Sequence, residues 1–184
     1  MGHTAATNGY NLSVLAATMI LLLCTATVDG NVVSPFCRTA TTHKKDQGVC
    51  TGLVKGAKTW DEAMTNGINA VIEIAKAQKG KAVDSVEAKL PKGLRPATKE
   101  SITKGCKDAF DMYVSYLEDC IGWVKNDPDS SLETILSGNT FYNCKDGFDE
   151  FQIQNPDVYR FYDMTTYFAD ILLSIYQTKP ADHQ

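Results

Sequence analysis

Histidine is scarce in this chain: three in 184 residues, at His3, His43 and His183, widely separated. No His-Glu-x-x-His, Glu-x-x-His or Cys-x-x-Cys spacing occurs, so the sequence offers no dedicated zinc or di-iron site. A Gly-x-Ser-x-Gly nucleophile elbow and a glycine-rich phosphate loop are missing as well. Basic residues are not in excess, with 18 Lys and Arg against 22 Asp and Glu, and they are dispersed along the chain. Nucleic acid, which draws on a concentrated basic face, is therefore not the expected partner. Internal repeats and low-complexity tracts are lacking, and the one Asn-x-Ser/Thr sequon, at Asn11, lies close to the N-terminus.

Long apolar runs are limited to one, Leu12–Leu23, of about a dozen residues. That length matches a signal-peptide core and falls short of the about 20 residues that span a bilayer. Small residues follow, and cleavage after Ala26 or Gly30 is expected. The organisation read from this is a signal peptide over 1–30 and one domain over 31–184, secreted and with no membrane contact once the leader is gone. Loss of Asp29 moves the net charge from −4 to −3.

Six cysteines are present, and Cys24 leaves with the leader. Cys37, Cys50, Cys106, Cys120 and Cys144 remain, an odd number, so at least one stays unpaired within the chain in an oxidising compartment. Helix geometry narrows the choice. From Pro96 to Lys125, residues Ile102, Cys106, Ala109, Tyr113, Leu117, Cys120 and Val124 recur at spacings of three and four, one continuous helical face. Pro128, in the run Asn126–Asp129, ends that helix, and Asp129 or Ser130 can cap the next.

A tight turn centred near position 127.5 makes the two helices antiparallel neighbours and puts Cys144 level with about position 111. Cys106 is then offset by about 7.5 Å and Cys120 by about 13.5 Å, at 1.5 Å per residue. Bridged Cα atoms stand only about 4.4 to 6.8 Å apart. Cys106 needs the smaller adjustment, so it is paired with Cys144, and Cys37 with Cys50 as the local remainder. By loop-closure entropy these bridges are worth about 4 and 3 kcal/mol. Cys120, on the apolar face, reads as a buried, inert thiol.

Two further helices are legible. Trp60, Met64, Ile68, Val71, Ala75, Ala82, Val86 and Leu90 mark a long amphipathic helix, with an interruption at Gln78–Gly80 that could bend it and a stop signal at Pro91–Pro96. Val158, Phe161, Thr165, Phe168, Leu172 and Ile175 mark the last, with Asn155-Pro156 at its start. The helix between, about Ser130–Gln152, has the weakest periodicity, and Gly138 and Gly147 each cost it about 1 kcal/mol. The predicted fold is all-α, an up-down-up-down four-helix bundle with an N-terminal helical hairpin and two disulfides.

Carboxylate pairs such as Asp108 with Asp111, or Asp146 with Asp149 and Glu150, read as solvated helix surface rather than as acid and base. The aromatics Phe148, Phe151, Tyr159, Phe161, Tyr162, Tyr167 and Phe168 read as packing between the last two helices. With no catalytic constellation, the chain is expected to act by binding, without a cofactor or metal. A secreted ligand-binding or signalling bundle is the alternative use of the same fold.

Gly-Cys-Lys-Asp-Ala-Phe at Gly105–Phe110 is followed by Asn-Cys-Lys-Asp-Gly-Phe at Asn143–Phe148. With the leader and the two early cysteines, these resemble the plant invertase inhibitor and pectin methylesterase inhibitor family over about Phe36–Gln177. The resemblance implies a four-helix bundle with an N-terminal hairpin, disulfides Cys37–Cys50 and Cys106–Cys144, and no catalysis. It also implies a stoichiometric complex that blocks the cleft of a carbohydrate-active enzyme in the cell wall (apoplast) or vacuole. Invertase inhibitors of the family carry Pro-Lys-Phe at the start of the third bundle helix. Here Asp127–Ser131 keeps Pro128 and lacks the other two, which places pectin methylesterase ahead of acid invertase (β-fructofuranosidase) as target. The contact surface expected from position is the outer face of the second and third bundle helices and the turn between them: Asp111, Glu118, Lys125, Asp127, Pro128, Asp129, Ser130 and Glu133.

Overall fold

A computed structural model describes residues 33–38, 44–126 and 142–180, together with Pro128 and Leu132. The expected signal peptide lies outside the described residues. A 3-10 turn, Pro35–Cys37, opens the described chain, with the Ser34 hydroxyl accepting from the Phe36 N–H. It is followed by α1 (Lys44–Leu53), α2 (Trp60–Lys89), α3 (Pro96–Asn126), α4 (Tyr142–Glu150) and α5 (Pro156–Tyr176), with no strand among the described residues.

The 3-10 turn and α1 form the N-terminal hairpin. Cys37 and Cys50, both fully buried, join them in a disulfide with Cα atoms 5.8 Å apart. The Ser34 N–H donates to Thr51 Oγ1 at 3.2 Å, a second tie between the arms. Gly56, at φ 81, supplies the left-handed residue that redirects the chain from α1 toward α2.

Thr59 starts α2 through a capping box: its side chain accepts from the Glu62 N–H, and Glu62 Oε2 accepts from the Thr59 N–H. The helix then runs unbroken through Gln78–Gly80, where the sequence suggested a bend. Ala75 and Ala82 are buried on either side of that point, so packing carries the helix across a glycine whose intrinsic cost is only about 1 kcal/mol. Its first turn sits on the end of α5, with the Trp60 indole N–H donating to the Ile175 carbonyl at 3.1 Å.

α3 ends at Asn126, whose side-chain amide donates back to the Gly122 carbonyl at 2.9 Å. α4 ends two residues before the Gln152 limit expected from sequence, because Gln152 takes the left-handed conformation at φ 53. The Gln152 N–H donates to the Asp149 carbonyl and the Ile153 N–H to the Phe148 carbonyl, the two bonds of a Schellman motif. Most of the expected 130–152 helix before Tyr142 lies outside the described residues. α5 begins as the sequence indicated, with Pro156 in its first turn and the Asn155 side chain accepting from the Asp157 and Val158 N–H groups.

The helices close a ring: α2 packs on α3 and on α5, α3 on α4, and α4 on α5. The hairpin covers α2 and α5 at one end, helped by the Tyr167 hydroxyl donating to Asp46 Oδ1 at 3.0 Å. Inside the ring, Phe110 meets Phe161 edge to face at 4.7 Å between centroids. Cys106 and Cys144 form the second disulfide, Cα atoms 4.3 Å apart, between α3 and α4. Cys144 is thus level with Cys106 and not with position 111, so the register of a tight turn at 127.5 is off by about five residues.

Candidate functional site

Asp111, Glu118 and Lys125 recur every seven residues along α3 and share one stripe, since seven residues are nearly two full turns. All three are exposed. The stripe faces the seam with α2, where Asp111 pairs with Lys79 and Glu118 with Lys76, the latter at 2.9 Å. The hydrogen bond it donates to Glu118 holds the Lys76 ammonium above its ordinary pKa, and the Glu118 charge adds to this. Pro128 is half-buried and Leu132 fully buried. Asp127, Asp129, Ser130 and Glu133 lie outside the described residues.

Cys120 is buried and unpaired. Burial pushes its thiol up to about 12, with Asp119 adding a smaller push, so the nucleophilic thiolate is suppressed at neutral pH. Burial also raises the neighbouring Tyr113 hydroxyl.

The aromatic group divides. Phe148, Phe161 and Phe168 are buried core, whereas Phe151 stands 41% exposed at the end of α4. Tyr159 and Tyr162 are half-buried on α5 and flank the Lys145 ammonium of α4, 5.8 and 5.4 Å from their ring centroids. Lys145 also pairs with Asp149, one turn along, and Asp149 accepts a hydrogen bond from the Tyr159 hydroxyl. These bonds hold the Asp149 carboxyl below the usual range, Lys145 first and Tyr159 second. The same contacts raise Lys145 and Tyr159, with Asp149 the first cause in both. Sequence reading had grouped the tyrosines with the core, although the Lys145/Asp149 spacing of four was there to be seen.

Between the first turns of α3 and the end of α4 lies a depression of about 520 Å³. Ala97, Ser101 and Gly105 line it from α3 and Gly147 from α4, so small side chains create the space beside the Cys106–Cys144 bridge. Thr98, Ser101 and Glu150 supply its polar groups, and Phe151 stands at its edge.

Among the described residues no three His, Cys, Asp or Glu side chains are grouped to hold a metal ion. No helix of the described residues is long and apolar enough to cross a membrane. Compared with protein-family models, with curated proteins and with solved structures, the chain finds no match in any of the three.

Proposed function

We propose that this chain is a secreted, non-catalytic inhibitor that binds and blocks the active-site cleft of a plant carbohydrate-active enzyme, with pectin methylesterase the favoured target. The observation that carries this reading is the cysteine pairing: Cys37 with Cys50 inside a helical hairpin, and Cys106 with Cys144 between α3 and α4. That order, on a bundle of helices, is the arrangement implied by the two Cys-Lys-Asp motifs. Disulfides form and persist in oxidising compartments, and two of them are consistent with the apolar leader and a destination in the cell wall or vacuole.

The inhibitory contact is assigned to the α3 stripe of Asp111, Glu118 and Lys125 and to the segment that follows it. Ion pairs to α2 fix the first two carboxylates in place before a partner arrives, which lowers the ordering cost of binding.

The test is a titration of the oxidised chain, residues 31–184, into a plant pectin methylesterase and, in parallel, a plant acid invertase. Loss of methylesterase activity with a one-to-one endpoint is expected. Loss of invertase activity alone would reassign the target. No effect on either, from folded and disulfide-bonded protein, would overturn the inhibitor reading in favour of a bundle that binds some other ligand.

A further inference from the structure

The net-acidic chain carries a local reversal of charge. Between Glu87 and Glu100 it has four cations, Lys89, Lys92, Arg95 and Lys99, and no acid. They occupy the end of α2, the connecting turn and the first turn of α3, which itself contains no acidic residue. None of the four is in an ion pair among the described residues, although Lys76, Lys79, Lys81, Lys145 and Arg160 all are.

The turn that presents them is constrained. Pro91 and Pro96 frame it, Leu90 is buried beneath it, and the Leu94 N–H donates to the Pro91 carbonyl at 3.2 Å. Lys99 reaches back to the Lys92 carbonyl at 3.2 Å, which gathers its ammonium onto the turn.

The depression between α3 and α4 opens at this same end of the bundle. Ala97 and Thr98 on its wall lie between Arg95 and Lys99 in sequence, and the exposed Phe151 also lines it. The Schellman motif at Gln152 and Ile153 fixes the backbone beside that ring, and Gln152 holds a left-handed conformation to do so. The hollow itself is lined by the Thr98 and Ser101 hydroxyls and the part-exposed Phe151 ring, and the four cations stand at the same end of the bundle, Arg95 and Lys99 flanking its wall in sequence and Lys89 and Lys92 on the helix end and turn that precede it.

We propose that this end of the bundle binds an acidic polysaccharide, a chain of carboxylate-bearing sugars whose carboxylates meet Lys89, Lys92, Arg95 and Lys99 while a sugar ring lies on Phe151. Sugar rings present an apolar face and a hydroxyl rim, which suits an aromatic platform beside Thr98, Ser101 and Glu150. Duplex nucleic acid would use the cations and leave the ring and hydroxyls idle. An anionic membrane would want more exposed apolar surface than one ring, and Leu90 is buried and Leu94 half-buried. The site stands independently of the inhibitor reading. α3 has 31 residues and is about 45 Å long, so Lys125 and the segment after it lie at the opposite end, and Asp111, the nearest residue of the proposed inhibitory contact, lies at mid-helix, about 18 Å along the axis from Lys99.

Native electrophoresis of the oxidised chain through gels containing polygalacturonate or alginate tests this, with methyl-esterified polygalacturonate and dextran as uncharged controls. Retardation by both polyuronates at low salt, and little by either control, is expected. Changing Lys89, Lys92, Arg95 and Lys99 together to Gln should weaken binding at least about tenfold. Phe151→Ala should weaken it about threefold or more at every salt concentration. Lys55→Gln with Lys58→Gln, exposed at the other end of the bundle, should change it less than about twofold. Competition by short oligogalacturonates against the unaltered protein needs no variant and should release it from the gel. No retardation, an unaffected quadruple or Phe151 variant, or duplex DNA or anionic vesicles binding as well as polyuronate, would each overturn the proposal. Enzyme titration reads the C-terminal half of α3, from Asp111 onward, and contains no polysaccharide-binding readout, so failure of either proposal leaves the other standing.

Discussion

Asn155 and Ser85, 70 residues apart, bond to each other through both ends of the Asn155 amide. The Asn155 amide nitrogen donates to the Ser85 carbonyl at 3.2 Å, and the Ser85 hydroxyl lies 3.2 Å from Asn155 Oδ1. That same oxygen caps α5, accepting from the Asp157 and Val158 N–H groups at 3.1 and 3.2 Å. One fully buried amide therefore starts α5 and registers it against the C-terminal part of α2, four residues before that helix ends. Asn155→Ala removes the cap and leaves buried polar groups short of a partner, and should cost about 2–3 kcal/mol. Asn155→Ser retains a cap acceptor but not the reach to α2, and should cost about half of that. Urea midpoints at unchanged m-value check both, and equal losses would show that the cap alone matters.

The Schellman end of α4 makes the opposite kind of prediction. Gln152 sits at φ 53, a conformation that disfavours any side chain with a Cβ, while both motif hydrogen bonds are made by backbone. Gln152→Gly should stabilise the protein by about 1 kcal/mol, and Gln152→Val, β-branched, should destabilise it. A lowered melting temperature for the glycine variant would mean that the Gln152 side chain makes a contact worth more than the backbone strain.

How far the sequence disclosed this molecule follows from which interactions are local. α3 and α5 were legible because their buried residues recur at three and four, and Pro156 and Asn155 mark a start by local chemistry alone. Cys106 is the better partner for Cys144 because its offset along the α3 face is smaller than that of Cys120, yet a tight turn at 127.5 misplaces the register by about five residues. The Thr59/Glu62 capping box went unread although its spacing is a sequence signal. The Ser85–Asn155 bond and the hollow beside Phe151 depend on which helices become neighbours. No periodicity encodes that.

Acid should weaken the α4–α5 contact through Asp149. Its folded pKa is lowered from 3.8 by hydrogen bonds from Lys145 and Tyr159, so its contribution is complete above that value and disappears as pH falls through the folded pKa. Lys145 acts with opposite sign: its pKa is raised above 10.5, so its share is present below that value and is lost as pH rises through the raised one. Asp149→Asn should lower the melting temperature slightly at neutral pH, by an amount that shrinks with salt because the groups are exposed. The difference from wild type should shrink steadily as the pH is taken below 3.8 and the carboxylate becomes protonated. A difference that does not change with falling pH would assign the effect to the neutral hydrogen bond with Tyr159 instead of to charge.

Two glycines separate propensity from packing. A Cβ on Gly147 of α4 would meet nothing nearer than the Ile102 Cγ2 atom at 4.0 Å, ordinary contact distance. Gly147→Ala should therefore deliver the helix-propensity gain of about 1 kcal/mol almost intact, while its methyl narrows the hollow beside Phe151. A Cβ on Gly67 of α2 would stand 3.2 Å from both Ile175 Cδ1 and Leu172 Cδ2 of α5. Those side chains are fully or almost fully buried and have little room to retreat, so overpacking of about 1–3 kcal/mol outweighs the same gain. Gly67→Ala should be destabilising by about 1 kcal/mol on balance, and the two substitutions should move the urea midpoint in opposite directions. The same chemical change then reports close approach of α2 to α5 at one site and open space between α3 and α4 at the other. Stabilisation at Gly67 would mean that the α2–α5 seam is looser than 3.2 Å contacts allow.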